Sequence, residues 1–287
     1  MKLNEKSINL PVFTRPPDAV ALDLDGTLFD SKTRLSQRNL TSIENCITYG
    51  IPVIIATSRP ARSVHRYLGE ELIKTCSLIL QNGAIARAAP PLSGDFKESF
   101  PSELARDIVN TILKMEPEMR ITIEVEGYWF GTNLPRDPEE LWEVNSATPE
   151  MQLFLEEALA DEPTKIAAGG LGRDISGVAE AITRKFGDAV SVIPANEMTF
   201  LNITSIRSSK PDSLRRLLAS RKILTENVLA FGDDIPDIGL LQACGIPVTV
   251  ANAVPEVKAI TDYCTASNDD DGVAIVLEKM LEDIRKA

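Results

Sequence analysis

Asp23 and Asp25 stand two residues apart at the end of a short apolar run, Ala19–Leu22, and are followed at once by Gly26 and Thr27. The run has the length and composition of a buried strand. At i and i+2 both carboxylates leave that strand on the same side, and Gly26–Thr27 turns the chain sharply. Acids at the C-terminal tip of a parallel strand lie where open α/β sheets bind ligands. The pair suits attack by one carboxylate and proton shuttling by the other, with a divalent cation between them. For an isolated Asp-x-Asp, a strand end running into an Asx-type turn is the simpler alternative.

Three further clusters bear on that choice. Thr57, Ser58 and Arg59 follow the apolar Val53-Ile54-Ile55. A hydroxyl at a strand tip can donate to a phosphoryl oxygen, although Thr57 taken alone reads better as a helix N-cap. Lys210 opens an expected helix, although helix N-termini favour anions. A bound phosphate would account for it; so would plain solvation. Asp233, Asp234 and Asp237 crowd into five residues after an apolar strand. Their mutual repulsion is costly without a cation, and capping explains one or two of them rather than all.

The elements that must position these groups alternate. Strand 19–23, helix 36–49, strand 51–57, helix 61–72 and strand 77–80 give a βαβαβ order, hence a parallel sheet with right-handed crossovers. Ser36 suits the N-cap of that first helix and Gly50 its far end. The rhythm changes at Gln81-Asn82-Gly83. Residues 84–100 read as a connection, followed by helix 102–115. Ile121-Thr-Ile-Glu-Val-Glu126 alternates, which predicts a strand with one polar face. A hairpin at Gly127 leads into 128–132, and then come helix 150–159, strand 165–168, a glycine-rich turn and helix 175–186. This middle section reads as an α+β unit on an antiparallel sheet. After about residue 195 the first rhythm returns: helix 210–221, strand 228–232, helix 237–243, strand 247–250, helix 255–260, strand 263–265 and helix 273–286. The expected fold is α/β. A Rossmann-like parallel-sheet core of residues 1–85 and 195–287 is interrupted by an α+β cap of residues 86–194. Linkers are expected near 84–91 and 192–197. The first 17 residues, polar and proline-spotted, read as an edge strand or tail.

Composition narrows the partners. With 287 residues, 44% hydrophobic and 25% charged, the chain is that of a globular protein with room for two domains. A net charge of −12 offers no basic stripe for nucleic acid. It leaves room for a small phosphorylated substrate. Cys46, Cys76, Cys244 and Cys264 are widely spaced and there is one histidine, so a zinc site is not expected. The cysteines read as reduced core residues of a cytoplasmic protein. No run approaches the roughly 18 apolar residues of a membrane span.

Leu22-Asp-Leu-Asp-Gly-Thr-Leu28, Ala56-Thr-Ser-Arg-Pro60, Gln81-Asn-Gly-Ala84, Ser209-Lys210 and Gly232-Asp-Asp-Ile-Pro-Asp237 resemble, in order, the motifs of the haloacid dehalogenase-like (HAD) phosphohydrolases. The chain is most similar to the Cof-type branch, in which a large α/β cap lies between the second and third motifs. Val250-Ala-Asn-Ala-Val-Pro-Glu-Val-Lys258 and Asn268-Asp-Asp-Asp-Gly-Val273 also match that branch. The likeness covers 19–85 and about 195–287 well, and the cap only by position.

The resemblance implies an Mg²⁺-dependent phosphatase acting on a small phosphorylated metabolite, most plainly a sugar phosphate, as a monomer or homodimer. Asp23 would attack phosphorus and Asp25 would protonate the leaving oxygen, then deprotonate water. Asp23, the Asp25 carbonyl and Asp233 would hold Mg²⁺, with Asp237 supporting it directly or indirectly. Thr57 and Lys210 would bind the phosphoryl oxygens, and Ser58, Arg59, Asn82 and Gly26 are candidate substrate contacts. A phosphomutase, or a weakly active or non-catalytic ligand-binding relative, is the alternative. Two positions depart from the family pattern. Ser58 replaces the usual Gly, and Pro236 replaces the usual Asn, removing an amide and an N–H. Outside the motifs, His65 reads as a solvated or interface residue. Arg173 and Asp174 read as an exposed turn, Asp174 capping the next helix, and only weakly as substrate contacts.

Overall fold

The computed structural model describes residues 8–195 and 198–286, folded around an eight-stranded and a six-stranded sheet. β1 (Ala19–Leu22), α1 (Gln37–Thr48), β2 (Val53–Ala56), α2 (Ala61–Leu68), α3 (Glu70–Thr75) and β3 (Ser77–Leu80) build the first parallel run. Every residue of these three strands is buried, which is why they read as continuous apolar runs. Ser36 caps α1, accepting from the Asn39 N–H at 3.0 Å. The helix expected over 61–72 is broken at Gly69 into α2 and α3.

Residues 84–100 are more than a connection. β4 (Ile85–Arg87) and β5 (Phe96–Lys97) fold back antiparallel and extend the core sheet beyond β3. Strands of three and two residues carry too little periodicity to be read in advance.

The inserted unit comprises α4 (Ser102–Met115), β6 (Arg120–Val125), β7 (Trp129–Thr132), α5 (Pro138–Asn145), β8 (Gln152–Phe154), α6 (Leu155–Ala160), β9 (Lys165–Gly169), α7 (Ser176–Phe186), β10 (Val190–Ala195) and β11 (Phe200–Ser205). Its strand order is β10-β11-β9-β6-β7-β8, antiparallel except between β7 and β8. Three expectations change here. The helix expected from 150 begins at Leu155, because 152–154 pair with β7. α5 was not expected; Asp137 caps it, accepting from the Glu140 N–H at 2.8 Å. The second linker is displaced: residues 192–195 belong to β10, paired with β11 from Val190–Ser205 to Ala195–Phe200, while 196 and 197 lie outside the described residues.

The cap boundaries expected at 86 and 194 therefore both move toward the C-terminus. The Glu98 N–H still bonds the core carbonyl of Ala84 at 2.7 Å, whereas that of Phe100 bonds Pro163 of the cap at 2.8 Å. On the way back, Ile206 N–H bonds Ala189 of the cap at 2.9 Å, and Ser209 already caps the next core helix. Apolar alternation decides this, since Leu201 and Ile203 of β11 fill the cap's own core. Glu98 of one crossing pairs with Arg207 of the other at 3.1 Å.

The core resumes with α8 (Lys210–Ala219), β12 (Val228–Gly232), α9 (Ile238–Ala243), β13 (Ile246–Thr249), α10 (Pro255–Ile260), β14 (Tyr263–Cys264) and α11 (Gly272–Lys286). Its sheet runs β14-β13-β12-β1-β2-β3-β4-β5, with β14 through β3 parallel. Asn9 bridges to Cys264 at the sheet edge, and the first seven residues of the expected extension lie outside the described ones. Helices α1, α2, α3 and α11 pack on one face and α8, α9 and α10 on the other. In the cap, α4, α6 and α7 cover one face of the sheet. Period-2 alternation leaves Thr122, Glu124, Lys165, Ala167 and Asn202 on the opposite face, along a cavity shared with the core.

All four cysteines are buried and none forms a disulfide. Among the described residues no helix is long and apolar enough to cross a membrane.

Candidate active site

Asp23 leaves the end of β1 into a tightly wound loop, 24–28, with Gly26 at φ +78°. A Cβ at Gly26 would stand 2.2 Å from Asp233 Oδ2, so only glycine lets the β1 loop close on the β12 loop. Thr27 Oγ1 donates to Asp233 Oδ1 at 2.6 Å, and the Asn252 amide donates to the Gly26 carbonyl at 2.7 Å. The carboxylates of Asp23 and Asp233, far apart in sequence, are thus brought together.

Lys210 is positioned by a second close approach. The Gln81–Gly83 turn packs on the start of α8, where a Cβ at Gly83 (φ +101°) would meet the Ser209 carbonyl at 2.3 Å. Ser213 Oγ donates to the Gly83 carbonyl at 2.9 Å. The buried Lys210 ammonium donates to Asp23 Oδ1 and Asp237 Oδ1, each at 2.7 Å. Two carboxylates, then, answer a lysine at a helix N-terminus. Asp237 is fixed in turn, its Oδ2 accepting the N–H of Asp233 at 3.1 Å and of Asp234 at 3.3 Å.

The electrostatics of this cluster are strained. Burial, with the Asp237 charge adding to it, raises Asp23 well above the usual carboxylate range despite Lys210. Burial likewise pushes Asp233 up to about 7, against the Thr27 hydrogen bond and with Asp237 and Asp234 contributing. Burial opposes the Lys210 ammonium, but Asp23 and Asp237 hold its pKa above the ordinary value. One oxygen from each of Asp23, Asp233 and Asp237 lies within 4.8 Å of the others. Three converging acids, two of them buried on one ammonium, are a donor set that fits a hard divalent cation bound through oxygen.

The other expected residues fall around this centre. Asp25 lines the cavity with its side chain 46% exposed and is gripped by Arg59 through Nε–Oδ2 at 2.7 Å and Nη2–Oδ1 at 2.6 Å. Its carboxylate thus faces the cavity rather than the acid cluster. Thr57 is fully buried; its Oγ1 accepts the Arg59 N–H at 3.1 Å, while Pro60 takes the position before α2. Ser58 lines the cavity and offers its carbonyl to Lys165 Nζ at 3.1 Å. Asn82, in the left-handed region at φ +58°, also lines it, and its buried amide N and O have no partner among the described residues. Asp234 and Pro236 stand on the same wall. His65 lies elsewhere, facing Tyr128 OH at 2.8 Å beside a second cavity of about 270 Å³. Arg173 pairs with Glu116, and Asp174, one residue before the N-cap position of α7, accepts the Ser176 N–H at 2.7 Å; neither lines the main cavity.

That cavity, about 520 Å³, has the core loops as its floor and the polar face of the cap sheet as its roof. Arg62, Glu124, Arg136 and Lys165 were not singled out from the sequence. Glu124 stood on the polar face of an alternating strand, and Lys165 was a lone cation opening an apolar one. Those are signals of placement, not of partner.

Residues 20–277 match the haloacid dehalogenase-like hydrolase family. The chain belongs to that family. The HAD-like chain is 28% identical to Phosphatase YwpJ of Bacillus subtilis over 302 residues, covering 91% of this chain and 99% of that one. It is 24% identical to the 5-amino-6-(5-phospho-D-ribitylamino)uracil phosphatase of the same organism, covering 92% and 97%. The solved structure of BT4131, described as a HAD subclass IIB sugar phosphatase, superposes with a TM-score of 0.73 at 21% identity over 91% and 98% of the two chains. As a HAD-like phosphatase, the chain is a phosphoric monoester hydrolase.

Proposed function

We propose that the chain is an Mg²⁺-dependent phosphatase that hydrolyses a small phosphorylated metabolite, a sugar or polyol phosphate, through a phosphoryl group carried on Asp23. The observation that supports this best is the buried Asp23 carboxylate, held by Lys210 at 2.7 Å within ligand reach of Asp233 and Asp237. Mg²⁺ held by Asp23, Asp233 and Asp237 would neutralise the phosphoryl oxygens. Asp23 attacks phosphorus and expels the alkoxide. Asp25, on the cavity wall, protonates that leaving oxygen once Arg59 yields, and later takes a proton from the water that frees Asp23. Lys210 and the Thr57 hydroxyl bind the charge that develops on the phosphoryl group. Asn82, whose buried amide lacks a partner among the described residues, is available to the substrate, as are Ser58 and Arg59. Gly26 shapes the loop rather than contacting substrate.

A sugar or polyol phosphate accords with a cavity of about 520 Å³ lined by Asn82, Asn145 and Asn202. It also accords with a relative that dephosphorylates a phosphoribityl compound. The cap, from about 99 to 208, selects the leaving group and excludes water by closing at the two crossings. The protein works in the cytoplasm, as a monomer or homodimer, without nucleic acid.

Phosphate release from a panel of phosphorylated metabolites, with and without Mg²⁺, tests the reading. We expect release that needs Mg²⁺ and is suppressed by excess Ca²⁺, a larger ion that draws in more ligands. Isomerised sugar phosphate in place of free phosphate would mark a phosphomutase instead. Full activity in a strong chelator would overturn the metal assignment.

A further inference from the structure

The roof of the cavity carries charge that phosphoryl transfer at Asp23 does not use. Glu124 projects from β6 and takes a bidentate pair from Arg62, at 2.6 and 2.8 Å, while Arg62 Nε also donates to the Asn145 carbonyl at 2.8 Å. That pair is closed and neutral. Beside it the Lys165 side chain is buried and, among the described residues, has no salt bridge and a single hydrogen bond, the one to Ser58.

Arg136 is a second cation with unused bonding capacity. Its side chain is 7% exposed, and its Nε is buried without a partner among the described residues. Its other nitrogens reach Glu140 at 3.2 Å and Thr122 Oγ1 at 3.4 Å. Glu140 is shared with Arg120. Among the described residues, then, the buried side chains of Arg62, Arg136 and Lys165 have between them ion pairs with Glu124 and with Glu140, the latter shared with the half-exposed Arg120.

Burying cations in excess of their partners is costly unless something else answers them. Burial depresses Lys165 and Arg136 below their ordinary values, with Glu124 and Glu140 compensating in part. In a chain of net charge −12 such a local surplus is also a strong focus for an anion. Both cations line the same cavity as Asp25 and Asn82.

We propose that the substrate's leaving group bears a second anionic group, a carboxylate or a phosphate, which docks between Lys165 and Arg136. The proposal rests on the phosphatase reading above and narrows it: the substrate is a sugar-acid phosphate or a sugar bisphosphate rather than a neutral sugar monophosphate. Lys165 and Arg136 select substrate; they do not act on phosphorus.

The test compares kcat/KM for three esters of matched size: a sugar bisphosphate, a sugar-acid phosphate and a neutral sugar monophosphate. A preference of about tenfold or more for one anion-bearing ester is expected, as for a charge-assisted contact. Which of the two wins distinguishes phosphate from carboxylate. Lys165→Met and Arg136→Met should each collapse that preference, with Lys165→Gln and Arg136→Gln as alternatives should the first pair misfold. A neutral ester preferred by the parent protein, or an unchanged preference in folded variants, overturns the proposal. A second readout is independent of turnover: calorimetric binding of a phosphonocarboxylate and of its neutral amide in the presence of Mg²⁺. Tighter binding of the carboxylate, lost in Lys165→Met, supports the anion pocket even if no ester is hydrolysed, in which case the phosphatase reading alone fails. Equal affinities overturn the anion pocket whatever the activity.

Discussion

At the tips of β1 and β12, Asp23, Asp233 and Asp237 cluster, with Lys210 bridging Asp23 and Asp237; across the cavity, Lys165 of β9, Arg136 of the loop before α5 and Arg62 of the core helix α2 lie around Glu124 of β6. Both regions are buried and charged, but they are made differently. The floor is set by backbone. Its acids sit on loops whose N–H groups and glycines fix them, as Asp237 is fixed by two N–H groups and Gly26 by its contact with Asp233. The roof is set by side chains: alternation along β6 and β9 turns Glu124 and Lys165 to the cavity, and Arg62 reaches in from α2 and Arg136 from the loop before α5. A backbone-built floor holds one chemistry; a roof built of side chains can change its specificity while the chain keeps the same fold.

The sharpest break should come on the floor. Asp23→Asn is nearly isosteric and removes the attacking charge. Turnover of every substrate should fall by roughly 10³-fold or more while circular dichroism stays unchanged. Residual activity of more than a few per cent would count against Asp23 as nucleophile.

Next in size is a stability effect in the roof. Glu124→Gln leaves the Arg62 guanidinium buried without its counter-charge, and the urea midpoint should report a loss of about 3 kcal/mol. Burial works against the Glu124 carboxylate, but Arg62, aided by Lys165 and Arg136, holds its pKa below the ordinary 4.5. A depressed folded value gives stability that is present above the unfolded value and is lost as pH falls through the folded one. Below about pH 4.5 the parent protein should therefore weaken more steeply than Glu124→Gln. Parallel acid limbs in urea titrations would contradict the pair's role.

Gly26→Ala should cost about 1–2 kcal/mol from its positive φ alone. Because the new methyl displaces Asp233, kcat should drop with it. Melting temperature and kcat measured on the same preparation separate the two effects. The smallest change is expected at His65, which bonds Tyr128 away from the floor. His65→Phe should lose at most about 1 kcal/mol and leave kcat/KM unaltered; a changed kcat/KM would extend the site to the second cavity.

The same contrast explains what could be read in advance. β1, β2, β3 and β12 are continuous apolar runs ending in polar clusters, so their tips and the residues on them were legible. That Lys210 reaches Asp23 was legible only through the family resemblance, because it depends on Gly83 admitting the start of α8. β4, β5 and β8 are too short for periodicity to show, and β10 with β11 was hidden because Pro194 interrupts an apolar pattern at the sheet edge. Lys165 and Arg136 were invisible as a pair because one opens β9 and the other lies in the loop before α5, and only the folded cap brings both to one cavity.

The central claim is that Asp23 carries the phosphoryl group between substrate and water. The stereochemical course of hydrolysis at an isotopically chiral phosphate ester tests it directly. Transfer to Asp23 and then to water is two in-line displacements, each inverting phosphorus, so the account predicts overall retention of configuration. Overall inversion would mean that water attacks the substrate in a single step, with Asp23 never bonded to phosphorus, and would contradict it.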